Sequence, residues 1–260
     1  MASLVPAPDW DAPSARIGNR LRAWPPPVVV ATVALAGTVI LIALLVGIGW
    51  FLTSSPLADG IRTWDAGVSR WAEASRTPLW NGWTEIGSNL ARTEAIVLVA
   101  GLSVLVLAVR RLWYEAGFLA TALAIELTVF LTSTMIIDRP RPTIEPLDPL
   151  PFTSSFPSGH MGAAIVMYVG LALIVSAHTR LTAIRLAVWV VGIALPVWVG
   201  VSRVYRGMHH VTDVAASIVL GSGALLLALF ASRSAAAAAE RRRASAITAP
   251  SVPEPTGIRA

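Results

Sequence analysis

Long uncharged apolar segments are the feature that most limits how this chain can fold. The first, from Val28 to Leu52, contains no charged residue. A helix that rises about 1.5 Å per residue needs roughly 20 such residues to cross the hydrocarbon core of a bilayer. Five more apolar segments follow, at 95–109, 116–137, 161–177, 186–201 and 214–231. The chain is therefore predicted to be an all-α, polytopic membrane protein with a bundle of six transmembrane helices.

The composition supports this class. Of the 260 residues, 55% are hydrophobic and 13% are charged, whereas a soluble domain carries about 25% charged residues. The chain has no cysteine, which excludes disulfides, thiolate metal sites and a cysteine nucleophile. The net charge of +5 comes from 20 basic residues, all of them arginine. Arginine in a multi-span protein mostly marks the inner membrane face, so nucleic acid is not expected as a partner.

The segments outside the spans divide the chain into regions. Residues 1–27 are polar and proline-rich and lack the pattern of a secretory signal, so they are predicted to form a cytoplasmic tail. The membrane domain covers residues 28–231. The tail at 232–260 is rich in Ala, Ser, Thr and Pro and is predicted to be disordered and cytoplasmic. Residues 54–92 are predicted to form short amphipathic helices near the headgroups, because tryptophan favours that level; the tryptophans are Trp64, Trp71, Trp80 and Trp83.

Six spans place both termini on one side of the membrane. The excess of arginine on that side predicts that it is the cytoplasmic side of a bacterial-type plasma membrane. The proline-rich loop at 138–157 and the stretch at 202–213 then both face outward. Four arginines on the outer side are not explained by the charge rule: Arg62, Arg70, Arg76 and Arg92.

Three clusters of polar residues meet at this outer side, each at the end of a predicted helix. A helix end is where a loop can deliver side chains from several spans to one point. The clusters are Arg139 and Arg141 after the third span, Ser158, Gly159 and His160 before the fourth, and Arg203, His209 and Asp213 between the fifth and sixth.

These residue types suit the binding and transfer of a phosphoryl group. Arginine offers a planar fork that matches phosphate oxygens, and amides after Ser158 and Gly159 would face an anion at a helix N-terminus. His209 and Asp213 share a helix face, so the carboxylate could fix one imidazole nitrogen while the other attacks. His160 could protonate the leaving oxygen and then activate water. The arginines would neutralise charge, so no metal ion or other cofactor is expected.

The clusters resemble the three-part signature of the type 2 phosphatidic acid phosphatase family, which also contains vanadium-dependent haloperoxidases. That signature is Lys, six residues, Arg-Pro; then Pro-Ser-Gly-His; then Ser-Arg, five residues, His, three residues, Asp. The second and third parts match at every defined position, and the resemblance covers about residues 94–231. It implies a haloperoxidase-like helical core with His209 as nucleophile, Asp213 as its partner and His160 as acid and base. It also implies four phosphate ligands: Arg141, Ser158, Gly159 and Arg203.

One position departs from the signature. Thr134 stands where the family has lysine, and the chain contains no lysine at all. Arg139 or Arg206 could supply the missing charge, which makes Arg139 a further candidate phosphate ligand. Glu126 lies inside the third span, where a charge is costly, so it is either functional or a protonated structural group. His210 is predicted to be a neighbour of the site, since it points to another helix face.

The predicted function is hydrolysis of a phosphomonoester or pyrophosphate on a membrane lipid through a phosphohistidine. The resemblance suggests phosphatidic acid, phosphatidylglycerol phosphate or undecaprenyl diphosphate as the substrate, and an outward-facing site favours the last. A lipid phosphotransferase of the same fold is the first alternative. A non-enzymatic transporter or scaffold with a decayed phosphate site is the alternative from another class, because the lysine is missing. A haloperoxidase is disfavoured, since it would be expected on a soluble scaffold.

Overall fold

A computed structural model describes residues 4–5 and 8–248, and most of these residues are helical. No strand occurs among them, which confirms the all-α class. A 3-10 turn, Pro56–Ala58, and a π-helical turn, Ile165–Val169, join successive α-helices. In chain order the α-helices are α1 (Pro13–Arg20), α2 (Pro26–Ser54), α3 (Asp59–Ala74), α4 (Pro78–Asn89), α5 (Thr93–Val109), α6 (Trp113–Ile136), α7 (Gly159–Ala164), α8 (Gly170–His178), α9 (Thr182–Tyr205) and α10 (Val211–Thr248).

Within the described residues, five helices are long and apolar enough to cross a membrane. They are α2, α6, the continuous helix Gly159–His178, α9 and most of α10. A sixth span forms when α4 and α5 are taken as one, since they follow each other after a short break and meet at 45°. The 17 residues of α5 would alone cover only about 25 Å. The predicted bundle of six spans is thus present, with its second span broken.

The central helix of the bundle is α10, which packs against α1, α2, α6 and α7. Small residues let these helices approach closely. A Cβ atom added to Gly221 would lie 2.6 Å from the Cβ of Ile165, and one added to Gly223 would lie 2.9 Å from Leu41. Lipid tails are as apolar as the helices, so this close packing contributes much of the association between spans.

The end of α10 differs from the sequence prediction. The helix continues to Thr248, whereas a disordered tail is predicted over 232–260. Alanine has the highest helix propensity, and Ala235 and Ala238 are buried against the start of α2. The same part of α10 packs on α1, within the predicted N-terminal tail. The prediction of disorder is therefore wrong as far as Thr248, and residues 249–260 lie outside the described residues.

The region at 54–92 forms the short helices that the sequence predicts. The tryptophans of α3 and α4 are about half exposed or more. Both helices also bury polar side chains. Asp65 of α3 and Ser88 of α4 each accept a hydrogen bond from an arginine elsewhere in the chain. The region therefore also contributes to the end of the bundle where α9 ends and α10 begins.

Candidate active site

The three polar clusters meet at that end of the bundle, around a cavity of about 420 Å³. Arg141 reaches the cavity from the loop after α6, and Gly159 and His160 reach it from the first turn of α7. Arg203 comes from the last turn of α9, and His209 comes from the turn between α9 and α10. The fold thus brings together five of the residues that the sequence singles out.

His209 has the geometry of a neutral imidazole with one nitrogen available. The residue is 4% exposed, and its Nδ1 lies 2.7 Å from the carbonyl oxygen of Ser155. A carbonyl can only accept, so Nδ1 is the donor and Nε2 keeps its lone pair. Burial, together with the positive charges of Arg203 and Arg141, holds the pKa of His209 well below its usual value. The ring is therefore neutral near pH 7, as an attacking imidazole must be.

Asp213 supports His209 through an intermediate residue. Its Oδ2 lies 3.9 Å from Nδ1 of His209. The same oxygen accepts hydrogen bonds from Ser155 Oγ at 2.5 Å and from the backbone amide of His210 at 2.8 Å. Ser155 thus stands between the carboxylate and the ring, where the sequence suggests direct contact. A helical spacing alone cannot show this, because Ser155 comes from a loop.

Arg139 lies outside the group around His209. Its guanidinium is buried and pairs with Asp65 at 2.9 Å and also with Asp213. Asp65 in turn accepts from the amide and the hydroxyl of Thr212, at 3.2 and 2.5 Å. Asp65 therefore caps the start of α10 from another helix. With its charge shared between two carboxylates, Arg139 is not placed to take the role of phosphate ligand that the sequence offers it.

Asp148, in the proline-rich loop, ties two arginines together. Its Oδ2 lies 2.8 Å from Arg203 Nη1 and its Oδ1 lies 2.7 Å from Arg206 Nη2. Ser88 also donates to Asp148, at 3.1 Å. Burial raises the pKa of Asp148, but the bond from Arg206 and the charges of both arginines outweigh it, and the net shift is downward. Arg206 is consequently used to hold this loop and does not replace the missing lysine.

Two buried donors of cavity-lining residues lack a hydrogen-bond partner in the part of the chain that the structure describes: Arg141 Nε and Arg203 Nε. The same holds for Ser158 Oγ, one residue before Gly159 in the chain. Leaving a buried polar group unsatisfied costs about 1–3 kcal/mol, so native proteins rarely do it without reason. Open donors next to a cavity indicate a bound acceptor. Two guanidinium groups and the start of a helix favour a phosphate as that acceptor.

Comparisons with known proteins identify the family of the chain. The profile of the PAP2 superfamily matches residues 115–236. Phosphatidylglycerophosphatase B of Bacillus subtilis is 31% identical over 176 residues, which cover 63% of this chain and 80% of the relative. The chain belongs to the PAP2 superfamily. The resemblance that the motifs suggest is confirmed.

The structural comparison shows the same fold. A crystal structure, described as the first transmembrane PAP2 type phosphatidylglycerolphosphate phosphatase from Bacillus subtilis, overlays with a TM-score of 0.61 and 24% sequence identity. The overlay covers 74% of this chain and 93% of that one. With the family membership, the chain is an integral-membrane PAP2 phosphatase, a hydrolase of phosphoric monoesters. This decides against the non-enzymatic transporter or scaffold.

The departure from the PAP2 signature is visible in the structure. Thr134 is buried near the end of α6, and its hydroxyl has no hydrogen-bond partner among the residues described. The cations that line the cavity within the same residues are Arg141 and Arg203. Arg141 is held in place by the carbonyl oxygen of Met208 at 2.5 Å. This PAP2 site is therefore organised around two arginines, without a third cation at the lysine position.

Sequence reasoning missed four residues that organise the PAP2 site: Asp65, Ser88, Asp148 and Ser155. Asp65 and Ser88 precede residue 115, where the family profile begins. Asp148 and Ser155 lie in a loop whose conformation no periodic pattern predicts. The one signal in the sequence was that acidic and hydroxyl residues stand near the outer arginines that the charge rule does not explain.

No cluster of three or more His, Cys, Asp or Glu side chains that could hold a metal ion occurs within residues 4–5 and 8–248.

Asp148→Asn is expected to lower kcat/KM for a lipid phosphate about tenfold, equivalent to 1.4 kcal/mol of transition-state stabilisation. The amide cannot pair with both arginines, so Arg203 loses the carboxylate that positions it. Steady-state phosphate release in detergent micelles measures the change. Glu145→Gln, in the same loop but exposed, is the matched control and should behave as wild type. Equal kcat/KM for Asp148→Asn and wild type would contradict the role given to Asp148.

Proposed function

We propose that this PAP2 protein removes the terminal phosphate of a membrane lipid through a phosphohistidine at His209. The observation that carries the proposal is the neutral His209 ring beside the open donors of Arg141 and Arg203. A phosphate held by those donors presents its phosphorus to Nε2 of His209. The proposed site needs no metal ion, because the guanidinium groups neutralise the charge that develops on the phosphate oxygens.

The reaction proceeds in two displacements. In the first, the Nε2 lone pair of His209 forms a bond to phosphorus and the bond from phosphorus to the lipid oxygen breaks. His160, protonated when the phosphate dianion lies beside it, gives its proton to that oxygen. In the second, His160 takes a proton from water, the oxygen attacks phosphorus, and the bond to Nε2 breaks. Inorganic phosphate leaves and His209 returns to its neutral form.

The shape of the cavity supports an amphiphilic substrate. Beyond the polar end it continues between α5 and α6, where its wall is apolar. That wall includes Ile96, Val97, Ala100, Leu123, Leu127 and Phe130. A ligand with a phosphate at one end and hydrocarbon at the other matches this distribution of polar and apolar surface.

The proposed substrate is phosphatidylglycerol phosphate, after the name of the Bacillus relative, with phosphatidic acid and undecaprenyl diphosphate as further candidates. The arginine distribution supports cytoplasmic termini and a site on the extracytoplasmic side. The loop at 138–157 and the turn that carries His209 lie at the same end of the bundle, as this orientation requires.

Phosphate release from a lipid panel tests the proposal. The purified protein, in detergent with a chelator present, is expected to release phosphate from phosphatidylglycerol phosphate, phosphatidic acid or undecaprenyl diphosphate with water as the only acceptor. Release that requires a second lipid would instead identify a phosphotransferase. Absence of release from every lipid phosphate in the panel would refute the proposed function.

A further inference from the structure

The wall of the catalytic cavity contains one acidic side chain that the proposed mechanism does not use, Glu126 of α6. The residue is 4% exposed, and its Oε1 has no hydrogen-bond partner within the described part of the chain. The ion pairs found in that part of the chain do not include it. An unpartnered carboxyl group beside a ligand cavity indicates that a ligand satisfies it.

Contacts between α6 and α7 show how deep in the helix bundle Glu126 lies. A Cβ atom added to Gly159, beside the phosphate site, would lie 2.9 Å from the ring of Phe130. One added to Gly162 would lie 2.6 Å from Oε1 of Glu126. The two helices run in opposite directions, so each step along α7 into the bundle faces an earlier residue of α6. Glu126 is therefore about one helical turn, on the order of 5 Å, deeper in the bundle than the phosphate-binding turn.

The surroundings of Glu126 favour the protonated form of the carboxyl group. The neighbouring walls of the cavity are formed by Val97, Leu123 and Leu127. A buried carboxylate without a cationic partner pays a large desolvation cost, which protonation removes. The neutral carboxyl group then offers one O–H donor, so the ligand group that it meets should be a hydrogen-bond acceptor.

Lipid phosphates differ in what they place at this depth. In phosphatidic acid, an acyl ester carbonyl lies a few covalent bonds from the phosphorus, on the order of 5 Å away, whereas in phosphatidylglycerol phosphate a second glycerol and a phosphodiester separate the two groups. In a polyprenyl monophosphate the same position is hydrocarbon. We propose that Glu126 donates a hydrogen bond to an acyl ester carbonyl of phosphatidic acid, and that this bond makes the enzyme prefer phosphatidic acid to polyprenyl monophosphates.

This inference rests on the proposed function and narrows it. An outward-facing site by itself favours a polyprenyl diphosphate, whereas Glu126 favours phosphatidic acid, the candidate whose ester carbonyl lies at this depth. A polyprenyl monophosphate would leave the carboxyl group unsatisfied, and a site built to hydrogen-bond its substrate discriminates against analogues that lack the partner. Glu126 acts here as a specificity residue and takes no part in the transfer of the phosphoryl group.

The test compares three monoesters in detergent micelles: dioleoyl phosphatidic acid, its dialkyl ether analogue without carbonyl groups, and farnesyl phosphate. Wild type is expected to show a kcat/KM about tenfold higher for the ester lipid than for the ether lipid, and a preference for the ester lipid over farnesyl phosphate. Glu126→Leu should lower kcat/KM for the ester lipid about tenfold and leave the other two substrates unchanged. Glu126→Gln, whose amide can still donate, should stay within about threefold of wild type.

Glu115→Gln is the matched control, because Glu115 is buried in the same helix but bonds to His178 at 2.9 Å, away from the cavity. It should leave the ratios between substrates unchanged. Equal turnover of ester and ether lipids by wild type would overturn the inference, and this result does not depend on whether a variant folds. An equal loss on all three substrates in Glu126→Leu would also overturn it. If wild type released no phosphate from any of the three, the inference would be overturned, whereas the proposed function would fail only if phosphatidylglycerol phosphate and undecaprenyl diphosphate also gave no phosphate.

Discussion

Replacing His209 with alanine is expected to lower phosphate release by about 10⁴-fold or more, because the group that forms the bond to phosphorus is lost. The structure supports so large an effect, since Nε2 of His209 is the open nitrogen of a neutral ring held by the Ser155 carbonyl. Initial rates on phosphatidic acid in detergent micelles measure the loss. Quenching in alkali during turnover should also trap labelled phosphate on wild type and none on His209→Ala.

The neighbouring histidine is the matched control for this prediction. His210 lies one residue further on, and its Nε2 is 3.2 Å from the carbonyl oxygen of Pro140. It does not line the cavity that holds His209 and Arg203. His210→Ala should therefore keep a rate within about threefold of wild type. Comparable losses in both variants, or a labelled phosphoenzyme in His209→Ala, would rule out His209 as the nucleophile.

Replacing Asp213 with asparagine is expected to lower kcat about 100-fold, with a smaller change in KM. The loss should be smaller than the roughly 10⁴-fold seen where a carboxylate itself sets the imidazole tautomer. Here the Ser155 carbonyl stays at Nδ1 of His209, and Asp213 acts by positioning Ser155 and the start of α10. The change also leaves Arg139 with Asp65 as its remaining carboxylate partner, so the thermal midpoint should fall.

Separate values of kcat and KM, with the thermal midpoint in detergent, distinguish the possible roles of Asp213. Asp138→Asn is the matched control, because Asp138 lies beside Arg139 but is exposed; it should match wild type. A loss near 10⁴-fold at an unchanged midpoint would mean that Asp213 sets the tautomer directly. A wild-type kcat in Asp213→Asn would show that Ser155 holds its position without the carboxylate.

The network behind Asp213 joins the PAP2 core to a part of the chain outside the family profile. Asp65 of α3 binds Arg139 and also caps α10 through Thr212. Arg203 is linked in the same way to Ser88 of α4. Helices that the sequence suggests only as an interfacial excursion therefore support the end of the bundle that holds His209.

Much of the architecture can be predicted from the sequence because its physical cause is local. A run of uncharged apolar residues long enough to span a bilayer favours a helix there, since a helix satisfies its backbone hydrogen bonds within the segment itself. The spacing of Arg141, Gly159, His160, Arg203 and His209 likewise places each residue at a helix end. The PAP2 family and its reaction class follow from those motifs.

What required the tertiary structure was the choice of partners. Arg139, Arg141, Arg203 and Arg206 carry the same charge, and no local pattern shows which of them meets a carboxylate and which lines the cavity. The structure pairs Arg139 with Asp65 and pairs Arg206 with Asp148. A hydrogen bond or ion pair depends on distance in space, which the loops and the packing of distant helices decide. For the same reason, only the structure could place Ser155 at His209 and Glu126 in the lipid cavity.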